Sequence, residues 1–122
     1  MRTVIRSTAL AVAVFATACT PLEIAVYLDT TADTRDALSA DQLYRLRLCE
    51  STDNYRAISP SGTYRGAYQF DQTTWDGVAT RHFDWLVGVD PVDAEPWWQD
   101  AMARALWSER GDQPWPVCGK KL

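Results

Sequence analysis

The stretch from Cys49 to Trp75 reads CESTDNYRAISPSGTYRGAYQFDQTTW, and its reading decides the fold. It places a glutamate, Glu50, directly after a cysteine at the end of an expected helix. Ser59-Pro60-Ser61-Gly62 follows as a turn, because proline presets φ and glycine tolerates positive φ. Tyr55, Ile58 and Tyr64 flank that turn, which predicts a short β-hairpin or an irregular β segment. Asp71 reads as the N-cap of a helix running to about Arg81. Gly77 weakens that helix by about 1 kcal/mol relative to alanine.

Outward from this stretch the chain is helical. Upstream, Ser39-Ala40-Asp41-Gln42 is a capping box, a serine with a glutamine three residues on. Leu43, Leu46 and Cys49 then recur at helical spacing, with Arg45 and Arg47 off that face, so the helix should reach Glu50 or Ser51. Downstream, residues 82–95 are irregular, with Gly88 and Asp90-Pro91. A last helix is predicted from Pro96, a good first-turn residue, to Arg110, with Gly111 as its stop. Trp98, Met102, Ala105 and Leu106 form its apolar stripe, and the tail Pro114 to Cys118 reads as extended. The expected architecture is α+β, mainly helical with a short β-hairpin. Trp98, Trp107 and Trp115 are expected inside, with Trp75 or Trp97 at an edge.

The 122 residues fit one domain. Arg2 and Arg6, the apolar run Thr8 to Ala18 and the small-x-small Ala16-Thr17-Ala18 read as a secretion leader over 1–18. The run falls short of the about 20 apolar residues that span a bilayer. Pro21 and Glu23 disfavour a retained anchor continuing through Leu22 to Leu28. Cleavage would leave Cys19 first, as in lipoproteins whose N-terminal thiol takes a diacylglyceryl chain. Ala16 departs from the aliphatic residue usual there, and ordinary signal peptidase would cut the same bond, so lipidated and unlipidated forms both stay open. Residues 19–38 read as a tether and 39–122 as the domain. The expected location is outside the cell or in its envelope, with membrane attachment if Cys19 carries lipid.

The formal net charge is −4, and loss of Arg2 and Arg6 makes it more negative. Nucleic acid, which selects basic surfaces, is therefore not an expected partner. An exported chain with three cysteines leaves one unpaired if the other two bridge. Cys49 and Cys118 lie in the folded part and Cys19 in the tether. His82 is the single histidine, and no metal site assembles at a usual spacing. There is no phosphate loop and no nucleophile elbow around any serine, so no metal or cofactor is expected.

Taken together, Cys49-Glu50-Ser51, Asn54-Tyr55, Tyr64, Gly66-Ala67-Tyr68-Gln69-Phe70-Asp71-Gln72, Thr74-Trp75, Gln99, Ala103 and Trp115-Pro116-Val117-Cys118 resemble the resuscitation-promoting-factor, or transglycosylase-like, domain of actinobacteria. The resemblance covers about residues 40–118. It implies a small lysozyme-like fold closed by a Cys49–Cys118 disulfide, and cleavage of β-1,4 bonds in peptidoglycan glycan strands. It implies Glu50 as the catalytic acid, and Gln69, Asp71, Thr74 and Gln99 as lining for the sugar cleft. Tyr64 and Trp75 are candidate sugar contacts beside them. Thr52-Asp53 stand where the family often has two glycines, and Tyr55 where it has tryptophan. Residues 79–95 lack the expected glycine-rich pattern.

Glycoside cleavage needs a proton donor and stabilisation of an oxocarbenium-like transition state. A glutamate donates near neutral pH if apolar surroundings raise its pKa, and tyrosines and Trp75 near Glu50 could supply them. Asp53 and Asp71 are candidates for a second carboxylate, though Asp71 reads better as a helix cap. A single-acid mechanism is the expected one, with the substrate's acetamido group or 6-hydroxyl in the second role. The chain is expected as a monomer that acts on the wall, alone or beside other wall hydrolases. The alternative is a non-catalytic wall-binding or growth-signalling protein.

Overall fold

The computed structural model describes residues 20–122, in which four α-helices follow one another. They are α1 (Pro21–Thr30), α2 (Ala40–Ser51), α3 (Gln72–His82) and α4 (Pro96–Arg110), with 3-10 turns at Asp84–Leu86, Pro91–Asp93 and Cys118–Lys121. The expected leader, and Cys19 as a candidate for lipidation, lie outside the described residues.

Local signals set three of the helix starts as the sequence predicts, two by side-chain caps and one by proline. Ser39 Oγ accepts from the Gln42 N–H at 3.1 Å, and Gln42 Oε1 accepts from the Ser39 N–H at 2.9 Å. Asp71 caps α3 by accepting from the Thr74 N–H at 2.7 Å. Pro96 opens α4 and Gly111, at φ 58°, closes it. Leu43 and Leu46 of α2, Trp75 and Val78 of α3, and Met102, Ala105 and Leu106 of α4 are buried together. Phe70 stands edge-on to Trp75 at 5.3 Å and to Trp115 at 6.2 Å, the arrangement aromatic quadrupoles favour. Trp98 and Trp107 pack partly buried against this core.

The disulfide is present: Cys49 at the end of α2 is bonded to Cys118, 69 residues on. It joins the last turn of α2 to the C-terminal turn of the chain.

Three expectations are corrected. The β-hairpin is replaced by two isolated bridges, Ile58 with Arg65 and Arg65 with Phe70. The Ser59–Gly62 turn does form, but the chain turns again at Gly66–Gln69, so neither arm is long enough for a ladder. The tail is not extended. It coils through turns in which Asp112 O accepts from the Trp115 N–H and Trp115 O from the Gly119 N–H. Prolines at 114 and 116 have no N–H to give a strand.

The third correction is the tether, whose sequence hides a helix. Thr20 and Glu23 make a second capping box at the start of α1. Tyr27 packs on Trp98 at 5.3 Å, and Thr31, Thr34 and Leu38 are buried. Arg104 Nε donates to Leu38 O at 2.9 Å and fixes this segment to α4.

Candidate active site

The loop between α2 and α3 and the C-terminal turns face each other across a groove of about 370 Å³. One wall carries Tyr64, Gln69, Asp71 and Thr74, and the other Arg110, Gln113, Pro114 and Pro116. The buried Tyr68, Phe70, Leu106 and Trp115 also line it. The exposed Tyr64 ring beside hydroxyl and amide groups suits a sugar, whose faces stack and whose edges hydrogen-bond.

Gln69 is held at φ 54°, an uncommon conformation for a residue with a side chain. Its Nε2 donates to Gly66 O at 2.9 Å. Strain of this kind persists where surrounding structure over-determines it, often at binding sites. Half-exposed Tyr64 presents its ring at the opening.

Both oxygens of Asp71 are in use: Oδ1 takes the Thr74 N–H, and Oδ2 the Thr74 hydroxyl at 3.0 Å. Asp71 is thus in the groove wall but committed to its cap. Asp53, the other candidate for a second carboxylate, pairs with Arg47 Nε at 2.7 Å. Asp71→Asn should therefore cost about 1 kcal/mol or less, since asparagine caps about as well. It should also keep most activity; chemical unfolding and product assays check both.

Two expected groove residues are interior. Trp75 is fully buried and its Nε1 donates to Leu86 O at 2.9 Å. Gln99 is 2% exposed and every bond it makes is internal. Its Oε1 accepts from the Ala67 N–H at 2.9 Å, and its Nε2 donates to Tyr55 O and Ala94 O, both at 3.0 Å. The physical reason is the missing ladder: without strand partners, the loop's buried backbone groups need a side chain to satisfy them. Trp97, the other tryptophan offered for an edge, is partly exposed on α4.

Gly66 makes this arrangement possible. It sits at φ 82°, and a Cβ there would lie 2.6 Å from Gln99 Oε1. Gly66→Ala should destabilise the domain by about 2 kcal/mol through the left-handed backbone and the displaced amide. Urea unfolding measures it, and a loss well under 1 kcal/mol would mean that Gln99 repacks freely.

Glu50 lies in the last turn of α2, partly buried. Burial raises its pKa above the ordinary glutamate value of 4.5. No ion pair or side-chain hydrogen bond to it exists among the described residues to hold its charge. By contrast, Arg81 pulls Glu109 down and Arg65 pulls Asp90 down. Glu50 is not itself among the residues lining the groove. Its link to that site runs through Cys49, bonded to Cys118, two residues beyond Pro116 of the wall.

A cluster beside Glu50 escaped the sequence reading. Arg47, one helical turn earlier, donates through Nη1 to Tyr68 Oη at 3.0 Å and to Asp100 Oδ1 at 3.3 Å. Tyr55 and Tyr68 hydroxyls also donate to Asp100 Oδ1, at 2.8 and 2.5 Å. The Arg47 guanidinium lies 5.2 Å from the Tyr55 ring centre. Burial first, and Asp100 second, push both phenols upward. Burial opposes the charge on Arg47, yet its bonds to Asp53 and Tyr68 hold its pKa above the ordinary value. The cluster ties α2, the groove loop and α4 together. Sequence separations of 21 and 53 residues gave no signal for it. Thr52 and Asp53, where the resemblance expects two glycines, adopt φ 57° and 59°. The turn thus keeps a glycine-like backbone, and Asp53 adds the ion pair to Arg47.

The transglycosylase-like domain family matches residues 37–118. The probable transglycosylase SceD 3 of Staphylococcus saprophyticus is 39% identical over 66 residues, covering 54% of this chain and 26% of the relative. The probable transglycosylase SceD of Staphylococcus aureus strain bovine RF122 is 37% identical over 75 residues, covering 62% of this chain and 31% of the relative. The chain thus spans about a quarter to a third of the length of these relatives. No solved structure gives a significant match.

Proposed function

The chain belongs to the transglycosylase-like domain family, and from that we propose that it is a small lysozyme-like enzyme cleaving the glycan strands of peptidoglycan, with Glu50 as the proton donor. The observation that carries the reading is Glu50 itself: a half-buried carboxyl without a partner for its charge, next in the chain to Cys49, whose disulfide reaches Cys118 two residues beyond the groove's Pro116.

In the proposed reaction, protonated Glu50 gives its proton to the glycosidic oxygen between N-acetylmuramic acid and N-acetylglucosamine. The C1–O bond breaks and the sugar ring takes up oxocarbenium character. The 6-hydroxyl of the same sugar then attacks C1 and returns its proton to Glu50. This closes a 1,6-anhydro ring and leaves the enzyme as it began. The route needs no second carboxylate, which accords with Asp53 and Asp71 being held by Arg47 and Thr74. Tyr64 would stack on a sugar face, and Gln69 and Thr74 would meet hydroxyl or acetamido groups.

Mass spectrometry of products from purified sacculi tests this. Anhydro-muropeptides, one water lighter than hydrolysis products, are expected; hydrolysed ends would instead assign the second role to water. A second reading, a glycan-binding module without turnover, is favoured by the absence of Glu50 from the groove lining. Binding to sacculi with no soluble product would establish it. A secretion leader over residues 1–18, as read from the sequence, would put the enzyme outside the membrane, where it would work as a monomer, alone or beside other wall hydrolases.

A further inference from the structure

The groove carries a charge of each sign, one on either wall. Among the described residues that line it, Asp71 is the acidic one and Arg110 the basic one. Asp71 is committed to the α3 cap, where Thr74 engages both of its oxygens. Arg110 stands exposed in the last turn of α4. Its Nε donates to Gln113 Oε1 at 3.2 Å, which steadies the guanidinium and leaves the Nη side of the fork for a ligand. Arg45, Arg47, Arg65 and Arg81 each reach a carboxylate. Arg110 makes no ion pair among the described residues, although Asp112 is two residues away. A basic residue at the end of a helix also eases its dipole. That role asks for a charge anywhere around the last turn, and not for one on a groove wall.

We propose that Arg110 binds a carboxylate carried by the muramyl residues of the glycan strand, and so makes the groove select acidic muramyl strands over neutral amino-sugar polymers. The inference rests on the groove being the glycan site of the proposed enzyme. A guanidinium fork matches the two oxygens of a carboxylate. A strand of N-acetylglucosamine alone offers no such group. Muramic acid has one on its lactyl ether, free where the peptide has been removed. Where the peptide remains, that acid is an amide, and the peptide's own carboxylate takes its place.

The attraction has to be local. The chain has a formal net charge of −4, so its overall field does not draw in an acidic polymer. Asp71 on the facing wall repels a carboxylate while Arg110 attracts it. The acid-bearing edge of the sugar is thereby directed to the α4 wall. Gln69 and Thr74 are left to the hydroxyl and acetamido edge, which fixes the way round in which the strand lies.

Titration with Glu50→Gln as the parent protein, its disulfide intact, tests this on strands that stay whole. The probes are peptide-free strands and peptide-bearing strands, each before and after conversion of its carboxylates to methylamides. The acidic form should bind about five- to tenfold more tightly than its amidated form at low salt. Adding Arg110→Met should narrow that margin to under about twofold, and Arg110→Lys should retain part of it. A merely structural role would weaken both forms alike and leave the margin. A margin on peptide-free strands assigns the lactyl acid, and one on peptide-bearing strands alone assigns the peptide's acid. No margin on either, or a margin that Arg110→Met leaves intact, overturns the proposal and leaves the enzyme reading to its product assay. The margin without any product from the unsubstituted protein would end the enzyme reading and keep this one. Binding of no strand at all would end both.

Discussion

Glu50→Gln is expected to lower glycan turnover by about 10² to 10⁴, the typical contribution of general acid catalysis, while glycan binding survives. Glutamine keeps the shape of glutamate and can still hydrogen-bond, but it has no proton to transfer. The side chain has no partner to lose, so the change should not disturb its neighbours. Because burial raises the Glu50 pKa above 4.5, the acid form persists to higher pH than for a free glutamate. Activity should therefore fall as pH rises through that raised value, and the glutamine variant should show no such limb. The stability sign agrees. A carboxyl with a raised folded-state pKa favours the fold while protonated, and that advantage is lost as pH rises through it. Glu50→Gln should accordingly be no less stable than the parent above the raised value, and its stability should vary less as pH rises from the ordinary glutamate value of 4.5. Retained turnover on purified sacculi would sink the proposed mechanism.

Removing the disulfide with Cys49→Ala and Cys118→Ala should cost about 4 kcal/mol in the chain-entropy account of a loop this long, the two cysteines being 69 residues apart. A domain of this size has about 5–15 kcal/mol in all, so the variant should stand near the edge of folding. Urea unfolding of oxidised parent against variant measures it directly. Activity should fall further than the folded fraction does. The same bond holds the last turn of α2, with Glu50, to the turn that supplies Pro116 to the groove. A loss under about 1 kcal/mol with unchanged activity would show that core packing alone positions α2.

Much of this protein is written in local chemistry. Ser39 with Gln42 starts α2, Asp71 starts α3, and Pro96 with Gly111 bounds α4. Each is legible because a cap, a first-turn proline or a stop glycine acts within about one turn of the chain. Cys49 with Cys118, and the groove residues Tyr64, Gln69, Asp71 and Thr74, were legible through their motif. The tertiary structure alone decided which polar groups turn inward. Gln99 has the chemistry of a sugar ligand, yet three backbone groups of distant segments claim it. Trp75 has the shape of a sugar platform, but its ring fills the core between Phe70 and the Leu86 carbonyl. The hairpin failed for the same reason: a second turn at Gly66 shortened its arms, and a glutamine from α4 satisfies the loop where a ladder would have. Helix α1 is missed although Thr20 with Glu23 is as local a cap as the others. Its apolar residues read as a patch within a tether, and only Tyr27 on Trp98 and Leu38 held by Arg104 tie the segment to α4. Caps and turns are fixed within a few residues of chain, whereas burial is set by partners that sequence distance does not reveal.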